Sequence, residues 1–132
     1  MDNIDRMRRK DALKTKEKGN QEFKEKKYRR AIDEYSFAID IIKCDDDLVN
    51  VQLLTNRATA HFYLENFRAS LNDCKEALAI KKDHFKASKR GALCLFKLNK
   101  TEECKKWAKK ALKIDRNDAE MIDILQKAEN NQ

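Results

Sequence analysis

An all-helical chain built from stacked repeats is what this sequence predicts, and three observations predict it. Its 132 residues include no proline and only two glycines, and 40% of them are charged, so no breaker interrupts the interior of its long segments. Those segments are rich in Ala, Leu, Ile, Lys and Glu without the period-two alternation of a half-buried strand, so strands are needed nowhere. The chain also resembles itself: Ala38-Ile39, Ala77-Leu78 and Ala111-Leu112 are each followed at the same distance by Ile41, Ile80 or Ile114, with the alanines 39 and then 34 residues apart. At this length and with 41% hydrophobic residues, the chain can bury one small core and does not ask for a second domain.

Taken in order, residues 1–11 are charged and carry no clear apolar stripe, so they are expected to form a fraying extension ahead of a domain spanning 12–132. The first repeat runs from Ala12 to Asp45, the second from Val51 to His84 and the third from Phe85 to Asp118. The acidic and polar residues from Asp46 to Asn50 account for the longer first spacing and are expected to make a loop, with Asp45, Asp46 or Asp47 capping the next helix.

Within each repeat a small residue falls where two helices should cross: Gly19 with Ala31, Ala58 with Ser70, and Ala92 with Cys104. One aromatic recurs per repeat, Phe23, Phe62 and Phe96, supported by Tyr28, Tyr35 and Phe67. Packing between helices is the expected role of these rings, and Phe23 is also placed to touch a ligand. After the third repeat, Asn117 followed by Glu120 reads as a capping box. Met121, Ile122, Ile124, Leu125 and Ala128 then form a stripe reaching about Asn130, so a seventh helix over about 118–130 should cover the apolar face of the last repeat. Trp107 is expected beneath that helix, with no functional role.

A period of about 34 residues with two helices per unit resembles the tetratricopeptide repeat family, over nearly the whole chain. The resemblance implies six antiparallel helices in three repeats plus a capping helix, wound as a right-handed superhelical solenoid with a concave groove. It further implies that the first helix of each repeat lines that groove. The groove-lining positions carry Lys16, Lys24, Lys86, Lys89, Arg90 and Lys97 against the single acid Glu17, so much of the chain's formal charge of +7 is concentrated there. An anionic ligand suits this distribution better than a uniformly solvated lysine surface does. Glu22 at a usually aromatic position, and Ala58 and Ala92 where glycine is commoner, depart from the family pattern.

Lys16, Asn20, Asn56, Lys86 and Arg90 match, residue by residue, the five-residue carboxylate clamp of tetratricopeptide co-chaperones. The likeness implies a peptide partner: the extended Glu-Glu-Val-Asp tail at the C-terminus of heat-shock protein 90, heat-shock protein 70, or both. The chemistry explains the residue types. A terminal aspartate presents two carboxylates close together, which lysine and arginine meet with charge and asparagine meets with oriented neutral donors. Phe23, Thr59, Lys89 and Lys97 are the expected secondary contacts along the groove. Co-chaperones of this kind also carry a C-terminal domain beyond the repeats, which would make this chain a fragment of a longer protein.

Other classes have less support. His61 and His84 are isolated, no Ser/His/Asp or Cys/His set recurs on one face, and no glycine-rich phosphate loop exists, so an enzyme is not expected. Cys44, Cys74, Cys94 and Cys104 lack C-x-x-C spacing and paired histidines, so neither a metal nor any other cofactor is expected, and the thiols read as buried and free in a reducing compartment. The charged N-terminus does not read as a signal peptide, and no apolar run approaches the roughly 18 residues of a membrane span. The expectation is a cytoplasmic monomer, with the nucleus also open to it. The alternative function is a basic groove that binds nucleic acid or other acidic partners without reading a terminal carboxylate, although no RRM-like signature is present.

Overall fold

A computed structural model describes residues 2–42 and 46–131. Among the described residues there are seven helices and no strand: α1 (Asn3–Lys24), α2 (Tyr28–Ile42), α3 (Asp47–Tyr63), α4 (Phe67–Ile80), α5 (Phe85–Lys97), α6 (Thr101–Ile114) and α7 (Ala119–Asn130). Each helix packs on the next in sequence, and α1, α3, α5 and α7 also touch in succession along one side of the stack. Cys44 and the capping candidate Asp45 lie outside the described residues.

Short turns fold the first helix of each repeat back on the second. At the same place in each turn stand Lys26, Glu65 and Asn99, with φ of 63°, 61° and 60°. Asparagine tolerates that left-handed conformation, whereas at Lys26 and Glu65 it costs about 1–2 kcal/mol each. The rest of the repeat has to hold the turn closed.

The crossings supply part of that hold. Ala31, Ala58, Ser70, Ala92 and Cys104 are all fully buried. At equivalent positions, the Ser70 hydroxyl donates to the Ala58 carbonyl at 2.7 Å and the Cys104 thiol to the Ala92 carbonyl at 3.4 Å. In the first repeat Gly19 leaves room for the Tyr35 ring, whose Cε1 would lie 2.6 Å from an added Cβ. The pattern of small residues read from the sequence is what lets the helices approach.

One equivalent pair of positions is filled by two different chemistries. In the second repeat Arg57 forks onto Asp73, with Nε to Oδ2 at 2.9 Å and Nη2 to Oδ1 at 2.7 Å, while Nη1 donates to the Ser36 hydroxyl at 3.0 Å. Thirty-four residues on, the same positions hold Gly91 and Trp107, the indole lying where a Cβ at 91 would be 2.1 Å from Cζ3. Trp107, expected beneath the seventh helix, packs against the cluster that contains Met121 and Ile124 of that helix, is seated on Gly91, and also packs on the buried cluster of α3, α4 and α5 that contains Leu54, Cys74 and Leu78.

Three sequence expectations are corrected. Residues 3–11 form the first turns of α1 instead of a fraying extension: the Asp2 carboxylate caps the helix by accepting from the Asp5 N–H at 2.9 Å, and Arg9 Nε donates to Asp46 Oδ2 at 2.8 Å. The segment from Asp46 to Asn50 is not a loop. Asp46 accepts from the Val49 N–H at 3.2 Å and starts α3, which runs for 17 residues with Val49 and Asn50 already buried. At the last helix the cap is Asp118, whose Oδ2 accepts from the Met121 N–H at 3.0 Å, and not Asn117, whose N–H turns back to the Asp115 carboxylate at 3.2 Å.

The seventh helix buries Met121, Ile124 and Ala128 against Leu95, Cys104, Ala108 and Ala111. These contacts close the apolar face of the third repeat, as a terminal repeat in a solenoid requires. Cys74, Cys94 and Cys104 are free and buried. Burial pushes their thiol pKa values up, which makes them inert packing groups.

Candidate functional site

The first helices α1, α3 and α5 face a cavity of about 600 Å³ whose wall includes Asn20, Asn56, Lys86 and Arg90, together with Glu17, Phe23, Lys24, Thr59 and Lys89. Next to it lies a space of about 800 Å³ bordered by Lys16, Gln52, Lys81 and His84. The two share Thr55, Asn56, Phe85 and Lys86, so they are neighbouring compartments of one groove. Four of the five matched residues line the first compartment, and Lys16 faces the second beside Asn56 and Lys86. Lys97 is exposed and lines neither compartment.

Four of the five matched residues are held by a specific partner. Asn20 Oδ1 accepts both the Tyr35 hydroxyl at 2.6 Å and Asn56 Nδ2 at 3.2 Å. Two donors on that oxygen occupy its lone pairs, so the Asn20 amide is oriented, with its own N–H groups left for the groove. Burial of Tyr35, with a smaller contribution from the Glu17 carboxylate, pushes the phenol pKa up to about 12, so the hydroxyl keeps the proton it donates. Lys16 Nζ donates to the neutral Gln52 Oε1 at 2.8 Å. The Arg90 guanidinium lies 4.7 Å from the centroid of the Phe62 ring, which is itself packed edge-on against Phe67 at 5.3 Å. A cation over an aromatic face is positioned without spending its N–H donors.

Among the described residues, Lys16, Lys24, Lys86 and Arg90 form no ion pair with an acid, and Lys89 is the exception among the cations lining the groove. Its Nζ lies 3.0 Å from Asp118 Oδ1 and 3.1 Å from Glu120 Oε1. Charges left unpaired in a partly enclosed concave site attract anions and keep their hydrogen-bonding capacity for a ligand. His84 caps α5 by accepting from the Ala87 N–H at Nδ1, 3.3 Å away. Burial first, then the Lys81 and Lys86 ammoniums, lowers its pKa.

Phe23 has the packing role expected of it and stands at the cavity wall. Its ring packs edge-on to Tyr28 at 5.3 Å and to Tyr63 at 5.6 Å, and it also borders the cavity. Tyr35, read from the sequence only as a supporting ring, proves to be the residue that orients Asn20. Its spacing of 15 residues from Asn20 crosses a turn, so no single-helix pattern signals it. Gln52 and His84 were likewise given no polar role by the repeat pattern. Among the described residues no group of His, Cys, Asp or Glu is arranged to hold a metal ion, and no helix is long and apolar enough to cross a membrane.

No family model matches the chain. Tetratricopeptide repeat protein 4 of Mus musculus is 41% identical over 125 residues, covering 95% of this chain and 32% of the relative. The chain thus spans about a third of the length of that curated relative. Among solved structures, the first tetratricopeptide domain of Spaghetti (RPAP3), bound to the HSP90 peptide SRMEEVD, is similar with a TM-score of 0.84 and 36% identity, covering 92% of this chain and 93% of that one. The second such domain of human RPAP3, in complex with the HSP70 peptide SGPTIEEVD, superposes with a TM-score of 0.82 and 27% identity over 95% of this chain and 98% of the other.

Proposed function

This chain belongs to the tetratricopeptide repeat family, and we propose that it is a co-chaperone module that captures the C-terminal Glu-Glu-Val-Asp tail of heat-shock protein 90, heat-shock protein 70, or both. The observation that carries the proposal is the convergence of Asn20, Asn56, Lys86 and Arg90 on one cavity, with Lys16 on the compartment beside it. They come from three different helices, α1, α3 and α5, and none is consumed by an internal ion pair among the described residues. The peptides carried by the two similar domains both end in Glu-Glu-Val-Asp, which supports the same ligand class here.

The terminal aspartate of such a tail has a main-chain and a side-chain carboxylate. Lys16, Lys86 and Arg90 supply charge from opposite walls, and the two asparagines supply donors whose directions are fixed by Tyr35 and by each other. A charge-assisted hydrogen bond contributes about 1.5–3 kcal/mol, so loss of one donor should weaken binding about tenfold to a hundredfold. Arg90→Ala should show that loss with the fold intact, because its guanidinium lies at the cavity wall. The role assigned is recognition and tethering by a cytoplasmic monomer, with no catalytic step.

The test is calorimetric titration with SRMEEVD and SGPTIEEVD, each as free acid and as C-terminal amide. Amidation removes one carboxylate and should nearly abolish binding. Equal affinity for acid and amide would remove the clamp reading. If a single-stranded oligonucleotide then bound as tightly, with a steep salt dependence, the groove would be a general anion site instead.

A further inference from the structure

One lysine of the groove is already occupied by the protein itself. Lys89 sits on α5 between Lys86 and Arg90 and lines the same cavity, yet its ammonium is shared by Asp118 at 3.0 Å and Glu120 at 3.1 Å, both at the start of α7. Asp118 is 15% exposed and Lys89 27% in their side chains, so the contact is partly shielded from solvent. The aspartate is also fixed by its own helix, because Oδ1 receives the lysine while Oδ2 caps α7 by accepting from the Met121 N–H. Burial alone would lower the Lys89 pKa, and the two carboxylates outweigh it, so the lysine stays charged and stays paired. The Phe85 ring, 5.8 Å from the same ammonium, completes the surroundings.

Two carboxylates on one ammonium leave a local excess of negative charge. An acidic ligand side chain arriving there would have to displace groups already in position and would meet repulsion from whichever remained. We propose that Asp118 and Glu120 are specificity-determining residues that withhold Lys89 from groove ligands, so that the ligand position beside Phe85 and Lys89 is filled by an uncharged side chain. This rests on the groove being the ligand site. It gives the end cap a second role: the helix that closes the apolar face of the last repeat also sets how many cations the groove offers.

The test is Asp118→Asn with Glu120→Gln in the full chain. Asparagine caps a helix as well as aspartate does, and glutamine keeps the length of glutamate, so α7 should remain folded; melting by circular dichroism checks this, and Glu120→Gln alone leaves the cap untouched. Binding of SRMEEVD and of a C-terminally amidated glutamate-rich peptide is measured by calorimetry at low salt. The double variant should bind both more tightly, by about two- to fivefold, the range expected when one partly exposed cation becomes available. Glu120→Gln alone should show a smaller gain, and adding Lys89→Ala to the double variant should erase the gain. Unchanged affinity in the double variant would overturn the proposal, and so would a gain that survives Lys89→Ala, which would mark it as a long-range effect of net charge. The difference between free acid and amide in the parent protein decides the clamp reading separately, so one idea can fail without the other.

Discussion

The Tyr35 hydroxyl donates to Asn20 Oδ1 across 2.6 Å, joining the second helix of the first repeat to the first through a residue that lines the groove. Removing that hydroxyl with Tyr35→Phe should lower stability by about 0.5–1.5 kcal/mol, the usual worth of one neutral hydrogen bond. It should also weaken tail binding, because Asn20 would then be held only by the longer contact to Asn56 at 3.2 Å. The pH dependence has a definite sign. With its folded pKa pushed up to about 12 from an ordinary value of 10.0, Tyr35 contributes stability that is present below pH 10 and is lost as pH rises toward 12. Denaturant melts of parent and Tyr35→Phe between pH 9 and 12 should converge; parallel curves would remove Tyr35 as the titrating group.

His84 sets the acid side. Its folded pKa is lowered from 6.5 by burial and by Lys81 and Lys86, so its contribution is present above pH 6.5 and is lost as pH falls through the folded pKa. The reason is local: protonation of Nδ1 would turn the acceptor of the Ala87 N–H into a second donor. His84→Asn keeps a capping acceptor without a titration, and should flatten the stability loss below about pH 6.5. His61, also lowered by burial, stays unchanged in that comparison, so the difference between the two proteins reports His84.

Gly91→Ala weighs helix propensity against packing. Propensity favours alanine by about 1 kcal/mol in a helix interior. Packing opposes it, since the new Cβ would fall 2.1 Å from Trp107 Cζ3 and 2.3 Å from Cε3, on two helices whose crossing is fixed by fully buried Ala92 and Cys104. Overpacking of this kind costs about 1–3 kcal/mol or more, so the net effect should be destabilising and should lower the melting temperature by several degrees. Adding Trp107→Leu should recover part of the loss. An alanine variant that melts above the parent would mean the indole swings aside freely.

Much of the fold was legible because repeat stacking obeys local rules. The small residues at Ala58 and Ser70, or Ala92 and Cys104, announce crossings, and the Met121, Ile124 and Ala128 face announces a cap. What stayed hidden depends on partners far apart in sequence. Arg9 is 37 residues from Asp46, and without that contact the charged start of α1 carries no sign of order. Lys89 is 29 residues from Asp118, at the far end of the repeat where α7 is capped, so counting it among the groove's free cations overlooked the acid that holds it. The five positions proposed as a clamp could be picked out because they come at fixed places in the repeat; the orientation of their side chains, through Tyr35, Gln52 and Phe62, could not, since it comes from other helices or other repeats.

Asn56→Ala separates a shaped clamp from a merely basic groove. Asn56 carries no charge, borders both compartments and donates one N–H to Asn20 Oδ1. If the groove attracts tails only through its potential, removing a neutral side chain leaves the potential unchanged, and affinity should hold while depending steeply on salt. If the amide is a positioned donor to a ligand carboxylate, its loss costs about 1.5–3 kcal/mol, roughly tenfold to a hundredfold in Kd, and loosens Asn20 as well. The geometry favours the second outcome, because Asn56 donates to an Asn20 oxygen that the buried Tyr35 hydroxyl also holds, so the direction of its amide is set before any ligand arrives. Titrating SRMEEVD into parent and Asn56→Ala at two salt concentrations should give the same ratio of affinities at both, since the interaction removed is short-ranged and shielded. A ratio that collapsed toward one at high salt would assign the asparagine an indirect electrostatic effect and leave the lysines and Arg90 as the whole of the site.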